Sequence, residues 1–176
     1  MSYDLFEHRH RFATWAAARA AQRGLTDVAT LRDAIDACGI RAYVHDRRNL
    51  RSSAQSFEAH HRKWCSSIVA FLRRRGIAGA TYGRAAKLVA IYLKSMVIVG
   101  PDSDSPLSRV IHPPIDRRLL TTLLASDGLP SHIRRRGRIA WTKLDARQYY
   151  ALVADLRTVI PSNQPFWKLE QYWTIA

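Results

Sequence analysis

Residues Ala85 to Val99 read Ala-Ala-Lys-Leu-Val-Ala-Ile-Tyr-Leu-Lys-Ser-Met-Val-Ile-Val, a stretch that is apolar on almost every face a helix of that length presents. Such a helix has no side to give to solvent, so other elements must surround it and the fold must be organised around it. Two charges interrupt it, Lys87 and Lys94.

The remainder of the chain supplies segments of helical period. From Ser2 to Arg23 the apolar residues Leu5, Phe12, Trp15, Ala16, Ala18 and Ala20 sit among Ala-rich helix formers, and Gly24 closes the segment as a glycine just past a helix end. Thr26 is the expected cap of a second helix carrying Val28, Leu31, Ile35 and Ala37, stopped by Gly39. Residues 41–51 read as irregular, and Ile40 to Val44 is the one run with extended character. A third helix is expected over 53–75, burying Phe57, Trp64, Ile68, Phe71 and Leu72; the apolar helix follows from Thr81 or Gly83 to Val99. Pro and Ser make 100–114 a loop, and further helices are expected over 116–125, 145–160 and 166–173. The expected fold class is all-α: a single compact helical domain over 1–176 with a helix-hairpin-helix-like element at 76–120, and no internal repeat.

Charge points to the partner. Lys and Arg number 28 against 14 Asp and Glu, a formal net charge of +14, while 47% of residues are hydrophobic, enough for a folded core rather than a basic disordered tail. Guanidinium groups make forked contacts to phosphate oxygens, so an Arg-rich excess of this size reads as the footprint of a nucleic acid. Met1 to His10 resembles neither a secretory signal nor a membrane anchor, and no stretch approaches the ~18 apolar residues of a membrane span. Cys38 and Cys65 lack C-x-x-C spacing, which implies neither a disulfide framework nor a metal–sulfur site, and a reducing cytoplasm, at the nucleoid in a prokaryote, is the expected setting. The pairs His60-His61 and His8 with His10 lack an Asp, Glu or Cys at supporting spacing, so no metal and no cofactor is expected.

Chemistry concentrates between Phe71 and Leu120. The run Gly76-Ile77-Ala78-Gly79-Ala80-Thr81-Tyr82-Gly83 is a glycine-bearing turn between two helices, and Gly79, Gly83 and Arg84 stand where backbone N–H groups at a helix N-terminus can hold a DNA phosphate. Lys87 and Lys94 are seven residues apart, close to two helical turns, and share one face. A buried lysine is costly unless paired and its pKa readily falls, the condition for a nucleophilic amine; the alternative is two lysines snorkelling to the edge of a core helix, with Lys94 partnering a nearby carboxylate. In Val110-Ile111-His112-Pro113-Pro114-Ile115-Asp116-Arg117, two prolines keep the chain extended ahead of Asp116, which structure alone explains as an N-cap. Arg134-Arg135-Arg136-Gly137-Arg138 reads as a basic loop ahead of Trp141 that either contacts phosphate or is simply solvated.

These residues resemble the helix-hairpin-helix DNA glycosylases that carry a catalytic lysine, and within them the 8-oxoguanine DNA glycosylase/lyases of archaeal type. Lys87 matches the lysine early in the helix after the hairpin, Asp116 in Pro-Pro-Ile-Asp-Arg matches the aspartate of the Pro-x-Asp element, and Lys94 resembles a second lysine two turns later. The resemblance implies a base flipped out of DNA, attack of Lys87 on the sugar C1′ with Asp116 stabilising the cationic sugar, and strand cleavage by β-elimination from a Schiff base. Lys94 would then depress the amine pKa or hold a phosphate. A flipped base needs an aromatic wall, for which the run Phe166 to Trp173 is the candidate, with Trp167 and Gln171, or Glu170, facing the base. Two readings stand: a glycosylase/AP-lyase of DNA repair acting on an oxidised or otherwise modified base, and a non-catalytic DNA-binding module, such as a subunit of a repair or anti-phage defence system, in which Lys87 and Asp116 only stabilise the fold.

Overall fold

The apolar helix is the hub. In the computed structural model, which describes residues 3–22 and 24–173, it forms α5 (Tyr82–Leu93), with α1 (Leu5–Gln22) on one side and α4 (Ala54–Arg74) on the other. Tyr92, Leu88 and Leu93 are sealed from solvent, as the all-round apolar pattern requires. The short α2 (Val28–Ala37) bridges α1 and α4, and α3 (Ile40–His45) follows it. Downstream come α6 (Pro106–Val110), α7 (Arg117–Ala125), α8 (Ser131–Gly137) and α9 (Ala146–Arg157), then a 3-10 segment, Phe166–Tyr172, packed against α6 and α7. The described residues form one compact all-α domain without a strand, and no helix among them is long and apolar enough to cross a membrane.

Capping explains most of the boundaries. Ser53, Thr81, Ser105 and Asp116 each accept a hydrogen bond from a backbone N–H in the first turn of the helix they precede, and Asp145 forms a full capping box with Gln148 ahead of α9. Gly24 adopts φ +67 at the close of α1, the left-handed turn its position calls for.

Several expectations need correction. The cap of α2 is Asp27, not Thr26; its carboxylate takes Thr30 N–H at 2.7 Å, and a carboxylate one residue closer outcompetes the hydroxyl. Ile40 to Val44 is helical rather than extended, because Ile40, Tyr43 and Val44 bury one face at helical spacing, and Arg47–Arg51 adds a 3-10 turn capped by Asp46. The 100–114 stretch contains α6, nucleated by Ser105 and by Pro106 in the first turn. Arg134–Arg136 lie in α8 rather than in a loop. The closing run 166–173 takes the tighter 3-10 form instead of an α-helix.

Helix α1 departs from the usual arrangement. Ala13, Ala17, Ala18 and Ala21 are its buried stripe, and these small side chains let its backbone approach α5 closely. Phe6 packs against the core, but the other large apolar residues of α1 face the other way: Leu5 is 65% exposed, Phe12 58% and Trp15 51%.

Candidate functional site

Lys87 lies on the second turn of α5, its side chain buried, and its Nζ donates to Asp116 Oδ2 at 3.0 Å. Asp116 reaches that position because Pro113 and Pro114 hold the incoming chain extended and buried, after which the same carboxylate caps α7, Oδ1 accepting the Leu119 N–H at 3.1 Å. Burial pushes the Asp116 carboxyl up, but the Leu119 amide, the Lys87 ammonium and the Trp173 side chain outweigh it and hold the group below its usual value. The Lys87 ammonium also stands 4.7 Å from the centroid of the Trp141 ring, a cation–π contact on its other side.

Both residues line a cavity of about 590 Å³, the size of a small-molecule site. Its walls come from Phe12, Ala16 and Arg19 of α1; from Lys87, Ile91 and Lys94; from Asp116, Arg117 and Arg118; and from Trp141, Glu170 and Trp173. At Lys94 the helix changes pitch: Lys94–Ile98 is a π-turn, in which the Val99 N–H bonds the Lys94 carbonyl five residues back at 2.9 Å. Such widened turns recur at functional sites. Lys94 donates to Glu170, an ion pair in the cavity wall that matches the carboxylate partnership open in the sequence.

The hairpin region is built differently from its sequence reading. Gly83 N–H bonds the Leu144 carbonyl at 3.0 Å, Arg84 N–H is taken by the Thr81 hydroxyl, and that hydroxyl in turn donates to Thr142 O at 2.7 Å. The segment 141–144 therefore sits on the N-terminus of α5, where an incoming phosphate was expected. Gly83 is required for the approach: a Cβ there would lie 1.9 Å from the Trp141 carbonyl oxygen. Gly79 is exposed in the turn before α5, and Arg84 is half-buried, its guanidinium pKa lowered by that burial.

The arginine run also divides. Arg134 binds the carbonyls of Leu124 and Ser126 at the end of α7 and that of Leu129 in the connection to α8, and Arg136 pairs with buried Asp155 at 2.7 Å, so both hold the fold together. Arg135 and Arg138 are exposed. Of the base-pocket candidates, Trp167 is half-buried and Gln171 exposed, and neither lines the cavity; their neighbours Glu170 and Trp173 do, because the 3-10 period turns those two inward. Sequence reasoning also missed Phe12, Arg19, Arg117, Arg118 and Trp141. The available signal was α1 itself, where Phe12, Ala16, Arg19 and Ala20 share one helical face opposite the Ala stripe. Among the described residues no group of His, Cys, Asp and Glu could hold a metal ion.

The chain matches no protein-family model, no curated protein and no solved structure, so what can be said of the site rests on its own residues and their geometry.

Proposed function

We propose that the protein is a DNA glycosylase/AP-lyase that removes a modified base through a Schiff base on Lys87. The observation that carries the reading is the Lys87–Asp116 pair, 3.0 Å apart on the wall of a cavity large enough for a nucleoside, in a chain of net charge +14. Among the described residues the hydrogen-bonding partner of this buried amine is a carboxylate held ionised, placed to stabilise positive charge that develops beside it.

In the proposed reaction the target nucleotide leaves the stack and occupies the cavity, where Trp141 and Trp173 offer aromatic faces to the base. Lys87 first gives up to solvent the proton it holds in the ion pair with Asp116; its neutral Nζ then bonds to C1′ as the C1′–N glycosidic bond breaks, and the base departs with that electron pair and takes a proton that the nitrogen sheds. Asp116 stays a carboxylate and stabilises the positive charge that develops on the sugar. The C1′–O4′ bond then breaks: O4′ keeps its electron pair and takes the remaining N–H proton to become a hydroxyl, while the nitrogen lone pair completes an imine between Nζ and C1′. Water then takes a proton from C2′, the electron pair left behind becomes the C2′=C3′ double bond, and the C3′–O bond breaks as the 3′ phosphate leaves with its electron pair.

Borohydride trapping on a panel of duplex and single-stranded oligonucleotides carrying modified bases tests this directly, since hydride reduces the imine to a stable amine linkage. The expected result is a covalent adduct for wild type and none for Lys87→Gln, with DNA affinity kept within about threefold. Full base release by Lys87→Gln would end the catalytic reading.

A second reading has its own supporting observation. Asp116 already has structural work, capping α7 with one oxygen while binding Lys87 with the other. On that reading the protein is a non-catalytic DNA-binding module, and the pair simply ties α5 to α7; Lys87→Gln would then lower the melting temperature with no adduct formed by either protein.

A further inference from the structure

We infer that the face of α1 beside the Lys87–Asp116 cavity is a stacking platform for unpaired DNA, so that the protein engages a single strand in preference to a duplex. This rests on the proposed DNA substrate and adds the state of the strand. The inverted packing of α1 is the starting point. Its alanines face α5, and Phe12 and Trp15 stand more than half exposed, with ring centroids 6.1 Å apart and planes inclined at 40°. Two large aromatics side by side in water are unfavourable unless something covers them. Phe12 also lines the cavity, so the platform runs without a break into the site of the proposed chemistry.

Charge identifies what covers the rings. Arg19 follows Trp15 by one turn on the same helix, and Arg117 and Arg118 of α7 are exposed and line the same cavity. Among the described residues the carboxylates lining the cavity are Asp116 and Glu170, and each is held by a lysine. An aromatic surface ringed by guanidinium groups matches a phosphate backbone bearing open base faces. In a duplex those faces are covered by neighbouring bases, whereas in a single strand each is available. The two rings are inclined to one another, so each offers its face to a separate base.

Fluorescence anisotropy with a labelled 20-nucleotide oligo-dT and with the corresponding dA·dT duplex, at physiological salt, tests the inference. Wild type should bind the single strand more tightly. Phe12→Ala/Trp15→Ala should weaken single-strand binding at least about 25-fold, from stacking losses of roughly 5- to 150-fold per ring, while duplex binding changes less than about threefold. Trp15→Phe keeps a ring and should keep the preference, which guards against a folding defect in the double variant. Tighter duplex binding by wild type, or an equal loss on both probes, overturns the inference. So does micromolar self-association of wild type that the double variant abolishes, since a second copy would then be the occupant. Lys87→Gln should show the same strand preference. If it does and no oligonucleotide is ever trapped, the chemistry fails and the platform stands; trapping confined to duplex substrates gives the opposite outcome.

Discussion

Gly83 has room for a hydrogen atom and nothing larger. A Cβ there would meet Trp141 O at 1.9 Å and Leu144 Cβ at 3.2 Å, and its amide is bonded to Leu144 O. Gly83→Ala must push the 141–144 segment off α5, which breaks that bond and carries Trp141 away from Lys87. Overpacking of this kind costs about 1–3 kcal/mol, so thermal denaturation should show a fall in Tm of roughly 2–12 °C. Any chemistry of Lys87 should suffer further at temperatures where the variant is still folded, because Trp141 is one wall of the cavity. Gly79→Ala is the control: its Cβ would meet only the flexible end of Leu25, at 3.1 Å, and the change should be close to neutral.

Arginines one residue apart on α8 have different work. Arg134 satisfies carbonyls at the C-terminal end of α7, where backbone acceptors lack partners, and Arg135 points to solvent. Arg134→Ala should cost about 1–3 kcal/mol in chemical denaturation, whereas Arg135→Ala should leave stability unchanged. If Arg135 meets phosphate, its loss instead makes binding less steeply dependent on salt, by about 0.9 in the log–log slope. The contrast shows where sequence was informative. The hub helix, the Asp116 cap and the glycine stops follow from local period and capping chemistry, so they can be read in order along the chain. The Lys87–Asp116 pairing was legible too, through the likeness of the two elements that carry these residues to a known pair of motifs. What escaped is set by tertiary contact: Trp141 enters the site only because Gly83 admits it, and Arg134 is structural only because α7 ends beside it. The orientation of α1 escaped for a subtler reason. Its alanine and aromatic faces are both apolar, so hydrophobicity alone does not say which packs inward; close approach to α5 selects the smaller.

At the scale of the whole molecule, burial of two histidines sets the response to acid. His61 and His112 lie in the core with ring centroids 4.7 Å apart, and their Nδ1 atoms hydrogen-bond with the hydroxyls of Tyr150 and Tyr149. Burial, with Arg62 nearby, pushes His61 down to about 3, and burial, His61, Arg157 and Arg62 hold His112 well below its usual 6.5. An unfolded chain takes up protons near pH 6.5 that the folded core refuses. Stability is therefore complete above about pH 6.5 and falls as pH drops from there towards 3, by on the order of 1 kcal/mol per pH unit for each imidazole. Melting curves across that range should show the decline, and His61→Phe should make it shallower; a Tm indifferent to pH between 6.5 and 4 would contradict it. The cavity carries a different consequence. Its walls come from residues 12–20, 87–99, 114–118, 141 and 170–173, so no local segment contains even half of it. Contacts between such distant parts of a chain form late, after loop closure has been achieved, and a collapsed intermediate with every helix in place would still lack the site. Recovery of the cavity during refolding should therefore lag behind the return of helical signal.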